Sequence, residues 1–307
     1  MDYLLIDGKY YKSRWQGNSE GVLQEISKLS SLASLIWCDQ SDSSGTLLGD
    51  VVPLVYKYAK SQLLVDRGEY LREHYGARLY CDYYYRKFGV RDPAVYLSQP
   101  ISDPSELSKL VLSWNSGLMH YGMLRPYFMF LYKYFSHRSV LHFSKWFTRP
   151  SGDRPIDFSC RMGIPYSRET VSFQRKKIKS LLDGKLPTDK LTRYAYLKEM
   201  RQSNLTVSPF GYGEITLKDF ECFLAGSALV KADMSVLNTW PPLYVKGSTY
   251  AAHNWDCTDL VDVIEELLGD KSQAQEIAEN GQQVYYKYTV SRDAPDLFAR
   301  QFMELLR

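Results

Sequence analysis

The stretch SPFGYGEITLKDFECFLAG, residues 208–226, combines two glycines and two carboxylates where a predicted strand meets a predicted helix. LTVSP is the predicted strand, FGYGE its exit loop and LKDFECFLAG the helix. Gly211 and Gly213 allow a sharp turn and close approach to a ligand, and free amides at a helix N-terminus suit phosphate. Glu214 lies in the loop, and Glu221 follows two turns later. A carboxylate at that position can accept hydrogen bonds from both hydroxyls of a ribose. Alternatively, Glu214 caps the helix and Glu221 is solvated.

The composition of the 307 residues is that of a globular protein, with 45% apolar and 24% charged residues. The net charge of +3 is too small for a dedicated nucleic-acid binder, so we expect no nucleic-acid partner. The 25 tyrosines suit clefts that bind polar rings such as sugars, although compositional drift explains the number equally well. No run of 18 apolar residues predicts a membrane span.

Five widely spaced cysteines form no Cys-x-x-Cys pair. Their number and spacing favour reduced, mostly buried thiols in a cytosolic protein over a disulfide framework or a zinc site. The N-terminus MDYLLIDGKYYK lacks the basic start and the long apolar core of a signal peptide. We therefore expect a cytoplasmic protein.

Strand and helix patterns alternate through the second half of the chain, which predicts a parallel sheet covered by helices. The first half is compatible with the same organisation, and its clearest strand is LASLIWCD, whereas residues 103–118 have the start signals of a helix. Two prolines and a glycine make 148–157 the best candidate linker. We predict an α/β fold with domains 1–150 and 151–307, facing each other across a cleft, and ligands at the carboxyl ends of the strands.

Residues 155–290 resemble the donor-binding half of GT-B glycosyltransferases, and most closely exostosin-like and lipopolysaccharide-modifying O-glucosyltransferase-like enzymes. The resemblance rests on SCRMGIPYSRETVSFQRKKIKSLL, SPFGYGE...KDFECFLAGSALVK, TYAAHNWDCTDLVDVIEELL and AQEIAENGQQ. Many retaining members have seven residues between two glutamates, whereas six separate Glu214 from Glu221 here. The resemblance implies two Rossmann-like domains, a nucleotide-sugar bound by the second, and final helices that cross back onto the first.

The resemblance also implies the donor-binding side chains. Arg161 and Arg168 are candidates for the diphosphate, because the planar guanidinium pairs with phosphate oxygens. Arg175, inside QRKKIK, is a third candidate, although a solvated basic helix face is the favoured interpretation there. Lys231 ends a predicted strand and could reach a phosphate or the donor sugar. Glu214 is a candidate for contact with that sugar and for a catalytic role. A UDP-sugar is favoured over a GDP- or CMP-sugar, and no further cofactor is expected.

The sequence contains no Asp-x-Asp motif, with which GT-A enzymes usually hold their metal. We therefore expect no metal and a metal-independent reaction, in which a helix dipole and basic side chains stabilise the leaving diphosphate. An inverting enzyme needs a catalytic base, and Asp39 or Asp42 in LIWCDQSDSSG could take a proton from an acceptor hydroxyl. Both could instead simply cap loops, Asp82 is a weaker third choice, and a retaining enzyme would not need this base.

Residues 119–149 contain five Lys or Arg residues, three histidines and no acid, among many aromatic residues. Such a segment could rest on an anionic membrane surface and meet a lipid-linked acceptor, although core helices with a basic rim are the simpler interpretation. The leading hypothesis is thus a glycosyltransferase of bacterial surface polysaccharide assembly, with a glycan or lipid-linked acceptor, at the inner face of the membrane. Another nucleotide-binding enzyme such as an epimerase, or an inactive scaffold at the membrane, are the alternatives.

Overall fold

The computed structural model describes residues 2–118, 147–184 and 187–307, together with residues 127, 130, 131 and 134. The strands are β1 (Tyr3–Asp7), β2 (Ser34–Asp39), β3 (Lys57–Lys60), β4 (Gln62–Leu64), β5 (Leu110–Leu112), β6 (Ile156–Ser159), β7 (Ser203–Ser208), β8 (Ala228–Ala232), β9 (Leu237–Thr239) and β10 (Ala251–His253). The helices are α1 (Lys12–Trp15), α2 (Ser19–Ser30), α3 (Leu79–Phe88), α4 (Glu169–Leu182), α5 (Arg193–Gln202), α6 (Leu217–Ala225), α7 (Leu260–Gly269), α8 (Lys271–Thr289) and α9 (Ala294–Glu304). Short 3-10 helices occur at Gly8–Tyr11, Gly49–Leu54, Arg67–Leu71 and Pro104–Lys109.

The chain divides into two compact units. The first comprises Met1–Asn115, Val236–Trp240 and Asp296–Arg307, and the second comprises Ser116–Ser235 and Pro241–Pro295. Most of α9 thus belongs to the first unit although it follows the second in sequence. The predicted domain bounds, 1–150 and 151–307, place the division later in the chain and stay a prediction.

The first unit is built on a parallel sheet of order β1-β2-β3-β5. β4 and β9 form a separate antiparallel pair in the same unit. Trp37 of β2 and Tyr58 of β3 are fully buried, and Trp37 stacks on Tyr11 with ring centroids 5.7 Å apart. Large aromatic rings therefore form part of the core beside this sheet.

The second unit has a parallel sheet of order β10-β8-β7-β6. Every residue of β7 and β8 is buried, as expected for central parallel strands with helices on both faces. Apolar side chains of the strands and helices form one core, which includes Leu205, Val207, Val230, Ile178, Ile264 and Ile277. Each unit thus contains a parallel sheet covered by helices, which confirms the predicted α/β fold of two Rossmann-like units. GT-B folds consist of two such units.

Two glycines permit close packing in the second unit. Gly226 ends α6 with a left-handed φ of 63°, a conformation that glycine adopts without a steric penalty. At Gly281 of α8, a Cβ would lie 2.8 Å from the Phe223 ring and 2.8 Å from the Thr249 carbonyl oxygen. Only glycine therefore lets α8 approach α6 this closely, which explains its place in the ENGQQ sequence.

Two local patterns of the sequence have clear outcomes. The segment 103–118 is not one helix: its start signals produce the 3-10 helix Pro104–Lys109, and Leu110–Leu112 then pairs with β3. The aromatic segment 77–90, whose residue pattern fits either a strand or a helix, forms α3 (Leu79–Phe88). The basic segment 119–149 falls almost entirely outside the described residues, and its membrane contact stays a prediction. Within the described residues, no helix is long and apolar enough to cross a membrane.

Candidate functional site

Two loops meet at the carboxyl end of the sheet in the second unit. The loop after β6 carries Tyr166 and Ser167, and the FGYGE loop after β7 carries Tyr212. The rings of Tyr166 and Tyr212 pack edge to face with centroids 5.1 Å apart, and the Ser167 and Tyr212 hydroxyls lie 3.2 Å apart. Since parallel sheets bind ligands outside the carboxyl ends of their strands, these loops define the candidate site.

Arg175 extends from α4 into both loops. Its Nε donates to the Phe210 carbonyl oxygen (2.6 Å) and its Nη1 to the Gly163 carbonyl oxygen (2.9 Å). The guanidinium lies 5.0 Å from the centroid of the Tyr166 ring. Arg175 is buried, so its interpretation as part of a solvated helix face is wrong. The residue instead brings a positive charge to the FGYGE loop.

Lys218, in the first turn of α6, brings a second cation to the same place. Its ammonium donates to the carbonyl oxygens of Arg161, in the loop after β6, and of Val207, one residue before the end of β7. Across the described part of the chain it forms no ion pair. Burial lowers the pKa of Lys218, and the positive charge of Arg175 lowers it further. The ammonium is thus a poorly compensated charge at a helix N-terminus, where an anion would be stabilised.

Arg161 lies near these cations but has a carboxylate partner. Its Nε and Nη2 donate to Glu199, with the shortest nitrogen–oxygen distance 2.6 Å. The hydrogen bond to Glu199 raises the pKa of Arg161. Arg168 is the N-cap residue of α4 and is half-buried. Both stay predicted diphosphate contacts, and Arg161 would have to share its guanidinium with Glu199.

Glu221 is held by α5. Its Oε1 accepts from Arg193 Nη1 (3.0 Å) and its Oε2 from the Tyr196 hydroxyl (2.9 Å). Burial raises the pKa of Tyr196 well above its usual value, and the Glu221 charge raises it further. Glu221 is 5% exposed, so the alternative of a solvated carboxylate is wrong. A ribose would have to share or replace these donors, and the ribose role stays a prediction.

Asp219, which the sequence analysis missed, organises the start of α6. It completes a capping box with Thr216 and accepts from the hydroxyls of Ser208 and Tyr244. Lys231 Nζ lies 3.1 Å from its Oδ2, and neither side chain is exposed. The T-x-x-D spacing before an apolar run signals the cap, but it does not predict the ion pair. Lys231 is therefore internally paired, and its donor contact stays a prediction.

The remaining predicted residues of the FGYGE loop are placed as follows. Glu214 is buried, and the N-cap residue of α6 is Thr216, so the alternative that Glu214 caps this helix is wrong. Neither Gly211 nor Gly213 has a positive φ. A Cβ at Gly211 would lie 3.8 Å from Arg175 Nη2 and from the Tyr166 hydroxyl, which is ordinary contact. The structure thus brings Gly211 close to Arg175, and the donor contacts of all three residues stay predictions.

The candidate bases lie in the first unit. Asp39 ends β2, where its Oδ2 accepts from the Tyr58 hydroxyl (2.9 Å) and from the buried ammonium of Lys60 (3.2 Å). Asp42, three residues later, is exposed. Asp82 of α3 is buried and pairs with Arg86, whose Nε lies 2.7 Å from Asp82 Oδ2. A catalytic role for any of the three stays a prediction.

Groups of three or more His, Cys, Asp or Glu residues that could hold a metal ion do not occur within the described ranges. The five cysteines are free thiols: Cys38 is half-buried and the other four are buried. Burial raises the pKa of Cys222 to about 12 and that of Cys257 to about 12. These two thiols are therefore protonated at neutral pH and are poor nucleophiles.

No protein-family model matches the sequence, and no curated protein matches it. Among solved structures, HepE from Anabaena in complex with UDP is similar at 11% identity and a TM-score of 0.44, covering 92% of this chain and 76% of that chain. Its complexes with UDP-glucose and with UDP and glucose have TM-scores of 0.42 and identities of 11% and 12%. They cover 93% of this chain and 76% and 75% of those chains.

Proposed function

We propose that this chain is a glycosyltransferase that moves a sugar from a nucleotide-sugar donor to a glycan or lipid-linked acceptor. The observation that carries the proposal is the pair of cations at the carboxyl end of the second sheet. Lys218 donates to the backbone carbonyls of Arg161 and Val207 without an ion-pair partner in the described residues, and Arg175 lies against the FGYGE loop that follows β7. A site that concentrates positive charge at a strand end and a helix N-terminus suits a diphosphate.

The chemistry of a diphosphate fits the two side chains in different ways. A guanidinium can donate two parallel hydrogen bonds to phosphate oxygens, whereas an ammonium acts as a compact charge. A diphosphate would also supply a counter-charge for the Lys218 ammonium, which would lower the free-energy cost of burying the protonated amine. In a transfer reaction the same groups would stabilise charge that develops on the leaving nucleoside diphosphate.

The resemblance of 155–290 supports the finer parts of the proposal. Glu221 would accept the ribose hydroxyls, Glu214 would contact the donor sugar, and Asp39 or Asp42 would act as the base of an inverting reaction. UDP is favoured as the nucleotide, and the reaction needs no metal. The acceptor would belong to bacterial surface polysaccharide, such as lipopolysaccharide, capsule or O-antigen, built at the inner face of the membrane.

Calorimetry with UDP, GDP and CMP tests the donor site. Lys218→Met removes the unpaired ammonium, and a charge-assisted hydrogen bond is worth about 1.5–3 kcal/mol, so the affinity for the bound nucleotide should fall at least about tenfold. Lys179→Met is the matched control, because Lys179 is exposed on α4. Its affinity should equal that of the unmodified chain. Failure of all three nucleotides to bind would overturn the proposal.

The pH dependence separates Lys218 from its neighbours. The diphosphate attracts only the protonated amine, so affinity should fall as pH rises through the lowered pKa of Lys218. Lys218→Arg keeps the charge at higher pH and should move that fall upward, because the guanidinium stays protonated. A nucleotide-sugar that is consumed in the presence of EDTA supports metal-independent transfer. Nucleotide binding without transfer to any acceptor would instead favour an epimerase or an inactive scaffold.

A further inference from the structure

A short stretch of backbone in the loop after β6 is contacted by cations from three other parts of the chain. Lys218 of α6 donates to the Arg161 carbonyl oxygen, and Arg175 of α4 donates to the Gly163 carbonyl oxygen at 2.9 Å. The third cation is Lys190, in the connection between α4 and α5, and its side chain lies over Gly163. Three positive groups therefore meet a few residues of chain beside the candidate anion site.

Gly163 leaves the space that the Lys190 side chain occupies. A Cβ atom at Gly163 would lie 2.7 Å from Lys190 Cε and 3.1 Å from Lys190 Nζ. A separation of 2.7 Å is too short for a real Cβ atom. The φ angle of Gly163 is not positive, so the backbone conformation is open to other residues. The packing requires glycine here because Lys190 needs the room.

The main chain next to Lys190 is held against the same loop. The Met162 amide donates to the Thr188 carbonyl oxygen at 3.0 Å, and Arg161 Nη1 donates to the Asp189 carbonyl oxygen at 3.4 Å. Thr188 is also buried. These contacts fix the two residues before Lys190 beside the loop, so only the Lys190 side chain has to adjust to a ligand.

The neighbouring acids act on Arg161. Its guanidinium lies 2.6 Å from a Glu199 carboxylate oxygen. The hydrogen bond to Glu199 and, more weakly, the charge of Asp189 raise the pKa of Arg161. Lys190 is exposed, and it forms no ion pair with any residue that the structure describes. Its ammonium thus brings a positive charge to the loop that an anionic ligand can neutralise.

We propose that Lys190 binds a phosphate group of the ligand at this loop, and that Gly163 is required because a side chain there would displace the ammonium. The identity of the ligand, a nucleoside diphosphate, rests on the proposed function. Arg175 is buried and Lys190 is exposed, so Lys190 adds positive charge without the cost of burying an ammonium. A compact charge on a flexible stem can also follow a phosphate as it binds.

Calorimetry with UDP and with inorganic pyrophosphate tests the role of Lys190. Pyrophosphate carries the phosphates without a base, so its binding does not depend on which nucleotide the site prefers. Lys190→Met should weaken the binding of both ligands about fivefold, as expected for an exposed charge pair, and added salt should reduce the difference. Uridine, which has no phosphate, should bind both proteins equally. The matched control is Lys198→Met, which removes an exposed ammonium from α5.

Gly163→Ala tests the requirement for space. The added Cβ would displace the flexible end of Lys190 and no backbone atom. The fold should therefore be retained, while the affinity for UDP falls about as far as in Lys190→Met. The double variant should bind UDP no more weakly than either single variant, because both changes remove the same contact. Gly269→Ala is the control, since nothing lies within 4 Å of its Cβ position.

The outcomes separate the role of Lys190 from the proposed function. If UDP binds, but Lys190→Met and Gly163→Ala bind UDP and pyrophosphate like the unmodified chain, the inference fails and the donor site stands. If pyrophosphate binding depends on Lys190 while UDP, GDP and CMP do not bind, the anion site stands and the nucleotide-sugar function fails. Additive losses in the double variant would overturn the role of Gly163. Failure of the nucleotides and of pyrophosphate to bind would overturn both proposals.

Discussion

The ammonium of Lys231 lies 3.1 Å from a carboxylate oxygen of Asp219, and neither side chain is exposed to solvent. The two residues come from β8 and α6, and the pair lies directly behind the FGYGE loop. Phe210 of this loop contributes a ring 5.4 Å from Lys231 Nζ. This ion pair links the central strand β8 to α6, the helix that carries Lys218, and thereby stabilises the packing around the candidate donor site.

Lys231→Met should therefore destabilise the fold strongly. The substitution leaves the Asp219 carboxylate buried without its counter-charge, which costs about 3–5 kcal/mol of unfolding free energy. Urea denaturation measures the loss. Lys246→Met is the control, because Lys246 pairs with Asp233 at an exposed site and should change stability by less than about 1 kcal/mol. If the two variants lose similar amounts, the buried pair has no special structural role.

Glu221→Gln tests the ribose role. The loss of charge should lower the affinity for a bound nucleotide about tenfold or more, since charge-assisted hydrogen bonds are worth about 1.5–3 kcal/mol. Calorimetry measures the affinity directly. Unchanged affinity in a folded Glu221→Gln protein would exclude the ribose contact and leave Glu221 as the partner of Arg193 and Tyr196.

Tyr196→Phe is the matched control for Glu221. It removes the hydroxyl that donates to Glu221 Oε2 but keeps the charge of the carboxylate. Stability should fall by about 1 kcal/mol, while the nucleotide affinity changes little. Glu214→Gln should differ from both variants, because contact with the donor sugar would make it reduce turnover more than binding of the bare nucleotide.

Asp39→Asn and Asp42→Asn should have different effects on stability. If either carboxylate is the base, its variant lowers turnover far more than nucleotide affinity, because a base acts in the transition state. Asp39→Asn should also destabilise the fold, since Lys60 would lose its buried partner. Asp42 is exposed, so Asp42→Asn should leave stability unchanged. Normal turnover in both variants would place the base elsewhere or indicate a retaining enzyme.

His253 should make the fold sensitive to acid. The residue ends β10, and burial lowers its pKa from 6.5 to about 4. Between these values the unfolded chain binds a proton that the folded chain does not, so stability falls as pH decreases. The shift corresponds to about 3 kcal/mol. Between pH 7 and pH 4, the unmodified chain should lose more unfolding free energy than the His253→Gln variant, so the difference between the two should narrow or reverse. Denaturation at both pH values measures this difference.

If the difference in unfolding free energy between the two proteins stays constant across this pH range, His253 is not the source of the sensitivity to acid. Its Nδ1 lies 2.8 Å from the Asn254 carbonyl oxygen, while its Nε2 has no hydrogen-bond partner in the described residues. The side chain therefore has one satisfied nitrogen in its neutral form. Protonation would place a charge in this enclosed position, which is the physical origin of the expected effect.

Local signals predicted much of the fold. Caps, glycines and the periodicity of apolar residues act within a few turns of a helix or along one strand, so the alternation of strands and helices in the second half was readable in advance. The segment 103–118 shows where such signals fail. Its Asp103 and Pro104 do start a helical turn, but pairing of Leu110–Leu112 with β3 ends it, and no local pattern encodes that partner.

The sequence by itself determined the residue types available to the candidate site: the glycine-rich loop, the two glutamates and the arginines. Only the tertiary structure decided which of their charges are already paired. Arg175 donates a hydrogen bond to Phe210, 35 positions away in the sequence, and Arg161 donates to Glu199, 38 positions away. Such contacts depend on the order of the strands in the sheet and on the rotation of each helix about its axis. Neither is recorded in the local spacing of residues, so the burial and pairing of each charge follow from the packed fold alone.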